Sequence, residues 1–301
     1  MTRPEHLRIY LEGEALPRAR AGTHNFFRRL KAAVEGQGWR VTIEESTLAS
    51  RLAAPGREGY ALYRMEEPTH ARALTCRHCY VGAFWNIEAS AKRWEWPVAQ
   101  APFYPEEVDV EAATKFAKNW RKSLYSSGIL SSDERFVFVP LQGRLTERRS
   151  FQAMSPLAMI EEVLARIDLP VLATLHPNES YSAEELAALD RLAAGHPRLT
   201  VQRGGSMAAL QRCSLVVTEN SSMAFEGFFL EKPAILFAEV DFHHIAASVP
   251  RDGIAAAFAP RPRPDFARYL YWFLKERAIN AGRPECEAQI LAALRRHGWP
   301  I

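Results

Sequence analysis

The sequence has no apolar run near the roughly 18 uncharged residues that a membrane-spanning helix needs. Its best stretches, SLVVTENSSMAFEGFFL and PAILFAEV, are interrupted or too short. The first twenty residues alternate polar and apolar positions and lack the apolar core and small-residue cleavage site of a secretory signal. Cysteine is scarce, with four in 301 residues. Cys213 and Cys286 stand alone and Cys76 and Cys79 form a CxxC pair, a usage that fits a reducing compartment. A soluble cytoplasmic protein is therefore expected. Charge of one sign is also missing, since 38 Lys and Arg oppose 35 Asp and Glu for a net +3. That near-balance excludes the dense basic field of a duplex-binding protein, so no nucleic-acid partner is expected. No internal repeat or low-complexity tract occurs.

Present instead is an ordinary globular composition, 48% hydrophobic and 24% charged, long enough for two domains with separate cores. Pro (19) and Trp (7) are the compositional oddity, many of them within the first 120 residues. Residues 7–12 (LRIYLE) alternate as a strand, 23–35 have helical spacing behind a Thr23 cap, and 39–44 (WRVTIE) alternate again, a β-α-β opening. From Tyr60 to Pro105 the chain is aromatic-rich without a clean period, which predicts irregular structure packed by rings. A helix is expected over 111–125, and SSGILSSDER (126–135) reads as a linker. These features predict a short, irregular Rossmann-like domain over 1–130 and a second domain over 131–301.

The second half is more regular. FVFVPL (136–141), PVLATL (170–175), LTVQ (199–202), SLVVTE (214–219) and PAILFA (233–238) alternate with helical segments at 156–167, 183–194, 206–212 and 222–231. Strands alternating with short helices predict a doubly wound parallel sheet, closed by helices at 265–279 and 285–297. In such a sheet ligands sit beyond the carboxyl ends of the strands, so the loops QGRLTERRS, HPNES, NSS and EVDFHH are the places to look.

Asn220, Ser221 and Ser222 fall between a buried strand and a helix start, where hydroxyls and free N–H groups converge at the positive end of a helix. That is an anion site, most naturally for phosphate, although either serine could be a plain N-cap. Glu226 lies one turn further on, where a carboxylate could reach ribose hydroxyls or simply face solvent. His176, before Pro177, can donate to a phosphate oxygen as negative charge develops on a leaving group; a structural histidine is the bland alternative. Asp241, His243 and His244 do not have convincing metal-ligand spacing, because adjacent histidines usually point apart, and a sugar-contacting or loop-ordering role is expected. Cys76-Arg77-His78-Cys79 lacks the second ligand pair of a structural zinc and the context of a redox motif, which leaves two reduced cysteines in an aromatic core.

The order of a PLQ strand end at 140–142, the His176-Pro177 dipeptide, the Ser221-Ser222 pair and the Lys-Pro strand start in EKPAILF resembles the capsular polysaccharide synthesis family, which contains bacterial Kdo transferases. The His-Pro and serine motifs are also similar to those of bacterial sialyltransferases. The resemblance covers about residues 136–245. It implies an α/β GT-B-like fold and a glycosyltransferase that takes an acidic sugar, Kdo foremost, from a CMP-activated donor to a growing capsular or surface polysaccharide or glycolipid. It further implies that Gln142, Arg144, His176, Pro177, Asn220, Ser221, Ser222, Glu226 and His244 surround the donor, with no metal and no further cofactor. The implied partners are the CMP-sugar and a saccharide or glycolipid acceptor, with peripheral association at the inner membrane or an export assembly as an extension.

In retaining Kdo transferases an acidic residue follows the PLQ-like strand end. Here the loop runs Gln142-Gly143-Arg144-Leu145-Thr146-Glu147, so Glu147 is the displaced candidate. As a carboxylate it could attack the anomeric carbon or deprotonate the acceptor, or it could be ion-paired to Arg144, Arg148 or Arg149. Those arginines suit an acidic sugar or a phosphate. The alternatives are a GT-B enzyme using a UDP- or GDP-sugar and a non-catalytic sugar-nucleotide or polysaccharide binder.

Overall fold

The computed structural model describes residues 5–125 and 131–301. The expected boundary at 130/131 and the first half of the linker-like stretch touch residues 126–130, outside the described set. The chain divides into two compact units, residues 1–100 with 273–301, and residues 101–272. This differs from the expected split. The physical reason lies in the last helix, Cys286–Arg296, whose apolar stripe of Cys286, Ile290, Ala293 and Leu294 is buried in the core of the first unit with Leu7, Phe26, Leu30 and Trp39.

In unit 1, β1 (His6–Leu11), β2 (Arg40–Glu45), β3 (Tyr60–Arg64), β4 (Ala73–His78), β5 (Phe84–Glu88) and β12 (Ile279–Asn280) form a sheet in the order β12-β5-β4-β3-β1-β2. The pairs β1–β2, β1–β3 and β3–β4 are parallel, and β4–β5 and β5–β12 are antiparallel. The β-α-β opening is present, with helix Asn25–Glu35 between β1 and β2; its N-cap is His24, without a side-chain capping bond, and not Thr23. The stretch expected to be irregular contains three strands. Its period is masked because β5 is buried at every position and β4 at its first four, Thr75, Asn86 and Glu88 included, so polar residues do not mark an outer face. Phe26 stacks on Trp85 at 4.2 Å between centroids, which accounts for part of the aromatic excess. Cys76 is a free thiol buried on β4 and pushed up to about 12 by desolvation, and Cys79 is buried as well.

Unit 2 begins with helix Val110–Leu124 and then alternates strands and helices. The strands are β6 (Val137–Leu141), β7 (Val171–Leu175), β8 (Leu199–Arg203), β9 (Leu215–Thr218), β10 (Ala234–Leu236) and β11 (Ala247–Ser248), all parallel, in the order β11-β10-β9-β6-β7-β8. The five expected strands are there within one or two residues, and β11 was not foreseen because two residues carry no period. β6 is buried at all five positions, as a central parallel strand covered on both faces must be. The helix expected over 265–279 is instead an α-helix over Phe266–Leu270 followed by a π-helical segment, Tyr271–Glu276. Strand order runs from β6 outward through β7 and β8, then resumes on the other side of β6 with β9. The topological switch point therefore lies between β6 and β9, where an open parallel sheet offers its ligand crevice.

Candidate functional site

The loop after β6 is bent at once by Arg144, a non-glycine residue with φ of +62°, a conformation that costs about 1–3 kcal/mol unless its surroundings hold it. Three contacts do so. Leu145 is fully buried, its N–H donates to Glu185 Oε1 (2.5 Å), and its carbonyl accepts from Leu157 N (3.1 Å). A Cβ at Gly143 would stand 2.6 Å from Glu179 Oε2, the tip of an exposed side chain that can swing aside. The loop then runs back as an extended segment, with Gln152 bridging Ala238 antiparallel, Ala153 N donating to Phe237 O (2.7 Å) and Glu239 N to Phe151 O (2.8 Å). The ends of β6 and β10 are thus tied together over the end of β9.

Glu147 is exposed, its side chain retaining 64% of its accessible surface, and pairs with Arg144 at 3.5 Å. A pair this solvated contributes little to stability. Gln142 is half-buried on the same loop.

At the end of β7, His176 is exposed and oriented by its neighbours. Asn178 N donates to His176 Nδ1 (3.2 Å) and His176 N donates to Tyr181 Oη (2.9 Å). With Nδ1 accepting, the neutral ring carries its proton on Nε2, so the imidazole presents an N–H donor outward. Pro177 is exposed beside it.

At the end of β9, Ser221 caps helix Ser222–Phe229, its hydroxyl accepting from Met223 N (3.3 Å). Asn220 and Ser221 are nearly buried (9% and 8% exposed) and Ser222 is half-buried. The eight-residue helix aims the positive end of its dipole at the switch point. Glu226, half-buried on it, is pushed up to about 6 by burial.

His244 is engaged on both ring nitrogens, Nδ1 with Tyr269 Oη (3.1 Å) and Nε2 with Ala101 O (3.1 Å), and stacks on His243 at 4.4 Å. Of its two expected roles, these contacts are those of loop ordering. Among the described residues no group of three His, Cys, Asp or Glu side chains is arranged to hold a metal ion.

Sequence reasoning missed Glu219 and Gln152. Glu219 is 2% exposed at the end of β9, its carboxyl pushed up to about 8 by desolvation against the lowering influence of Arg149. The signal was available: Glu219 directly follows Leu215–Thr218, a strand whose first three residues are apolar. Arg149 is half-buried, held below its ordinary value by desolvation, and its guanidinium lies 4.9 Å from the Phe151 ring.

A cavity of about 770 Å³ opens elsewhere, at the amino ends of β9, β10 and β11, and is lined by Arg121, Cys213, Lys232 and Phe266 among others. Its most buried charge is already committed, with Lys232 Nζ donating to Ser132 O (2.6 Å) and Cys213 O (2.8 Å). The carboxyl ends of β6, β7 and β9, where unspent donors gather, form the candidate site.

No protein-family model matches the chain, and no curated protein matches it. Among solved structures it is similar to the KpsC beta Kdo 2,7 transferase of Thermosulfurimonas dismutans, with 12% identity and a TM-score of 0.52 over 97% of this chain and 99% of that one. The KpsC beta Kdo 2,4 transferase of the same organism aligns at 12% identity and a TM-score of 0.47, over 88% and 89% of the two chains. The UDP-GlcNAc 2-epimerase of Neisseria meningitidis bound to UDP-GlcNAc aligns at 7% and 0.32, over 97% and 100%. The chain has an α/β, GT-B-like fold with a doubly wound parallel sheet in its second unit.

Proposed function

We propose that the chain is a glycosyltransferase whose second unit binds a CMP-activated acidic sugar, Kdo foremost, and passes the sugar to a saccharide or glycolipid acceptor of a capsular or surface polysaccharide. What supports this reading is that His176, the capped helix start at Asn220-Ser221-Ser222 and the Gln142–Glu147 loop follow the carboxyl ends of three neighbouring strands, β7, β9 and β6. Two sources of positive potential flanking β6 suit one phosphate, and a monophosphate diester needs no metal clamp of the kind a diphosphate leaving group recruits.

In this reading His176 Nε2–H and the helix N-terminus stabilise charge growing on the departing CMP phosphate. Glu147 is the carboxylate assigned to the reacting centre, as nucleophile toward the anomeric carbon or as base toward the acceptor hydroxyl. Gln142, Arg144 and Pro177 line the donor, and Glu226 is placed one turn from Ser222 for the ribose. Unit 1 is assigned the acceptor, at the cytoplasmic face of the membrane. Among the described residues no helix is long and apolar enough to cross a membrane, so such an association would be peripheral.

The test is release of CMP from CMP-Kdo by the purified chain in the presence and absence of a saccharide acceptor. Release should depend on acceptor, and His176→Ala should lower it by about 10²-fold or more, the scale of a lost charge-stabilising donor. An unchanged rate in that variant refutes the assignment, and calorimetry with CMP, UDP and GDP separates the nucleotide classes.

A further inference from the structure

The buried polar groups at the end of β9 are not in balance. Glu219 has both carboxylate oxygens buried with no hydrogen-bond partner, Arg149 has Nε and Nη2 buried with none, and Gln152 Nε2 is a third orphan. They belong to one neighbourhood. Arg149 N donates to Gln152 Oε1 (2.7 Å), Gln152 bridges Ala238, and Ala238 N donates to Glu219 O (3.1 Å). Glu219 and Arg149 feel each other's charge without forming an ion pair. A buried acid and a guanidinium normally pair or leave the interior, because an unsatisfied buried polar group costs about 1–3 kcal/mol and a charged one more. Five orphaned side-chain atoms, on Glu219, Arg149 and Gln152 at the end of β9, therefore signal a group still to arrive.

The charges facing Arg149 are Glu219 from the end of β9, Glu179 from the loop after β7, and Arg144 and Glu147 from its own loop. Glu147 is taken by Arg144. We propose that Arg149 is the residue that receives an oxyanion of the donor, phosphate or sugar carboxylate, and that Glu219 is a positioning residue whose proton keeps the guanidinium free to receive it. This rests on the sugar-nucleotide reading above and adds the specificity element that reading lacks. A planar guanidinium without an acceptor binds a carboxylate or phosphate by paired N–H donors, and Gln152 Nε2 offers a further one. Were Glu219 ionised, it would compete for Arg149 from within the protein. The burial that holds its proton to about pH 8 keeps that competitor silent at neutral pH.

Calorimetry on the full chain with CMP, CMP-Kdo and UDP-glucuronate tests this. Arg149→Gln should weaken binding at least tenfold, with Arg149→Lys in between; the lysine variant carries the test if the glutamine variant does not fold. Loss of CMP-Kdo affinity with CMP affinity retained assigns the sugar carboxylate, and an equal loss for both assigns the phosphate. In the wild type affinity should fall above pH 8, and Glu219→Gln should flatten that fall, which a merely structural glutamate would not do. Binding of CMP-Kdo that is indifferent to Arg149 overturns the inference and leaves the donor reading standing. Arg149-dependent binding of UDP-glucuronate without any CMP ligand overturns the donor reading and leaves the oxyanion receptor standing. No binding of any of the three overturns both.

Discussion

Glu219 and Glu226 make stability depend on pH in a direction opposite to most carboxylates. Both are raised from the ordinary 4.5 by burial, to about 8 and about 6. The folded protein keeps protons that the unfolded chain has released, so these groups favour folding fully below about pH 4.5. Their contribution is lost as pH rises, through about 6 for Glu226 and about 8 for Glu219, at up to roughly 1.4 kcal/mol per pH unit for each group. Glu219→Gln should therefore raise the melting temperature relative to wild type more at pH 8 than at pH 5. An equal shift at both values would show that the buried carboxyl is not protonated. His176 belongs to the same scale: its Nδ1 is committed to Asn178 N, which leaves one ring nitrogen for chemistry.

At the scale of the element, the helix Ser222–Phe229 combines a structural and a binding duty in one cap. Ser221→Ala removes the acceptor for Met223 N and should cost about 0.5–2 kcal/mol in urea denaturation. It should also weaken CMP binding several-fold; a stability loss without a binding loss would leave the serine a plain cap. The last helix has a simpler role. Ile290 is fully buried in the core of the first unit, and Ile290→Ala should cost about 2–5 kcal/mol, read from the shift in the urea midpoint at constant slope.

At the scale of the whole molecule, the first unit is discontinuous, made of residues on both sides of the second. A chain ending at Trp272 would lack β12, helix Cys286–Arg296 and Trp299, which stacks at 6.1 Å on Trp39. Such a truncation should lose the cooperative unfolding of the first unit, followed by tryptophan fluorescence. Retention of that transition would show that residues 1–100 hold a core unaided.

The strands β6, β7 and β9 were legible because a strand inside a parallel sheet is a nearly continuous apolar run, and the helices because capping serines such as Ser155 and Ser182 precede periodic segments. The loops after those strands follow from the sheet rule, which makes His176 and Ser221 candidates, whereas Glu147 is a candidate through the family resemblance. Local pattern is enough for such features, since each depends on neighbours a few residues away. It could not show that 286–296 returns to the first core, because an amphipathic stripe does not name the surface it covers. Nor could it show that Glu147 is solvated while Glu219 is buried opposite Arg149. The alternation of strands and helices, and so the sheet, was written in the sequence. Which carboxylate is desolvated was decided only by the tertiary structure, because burial depends on what the β6 and β10 loops, eighty-odd residues apart, jointly cover.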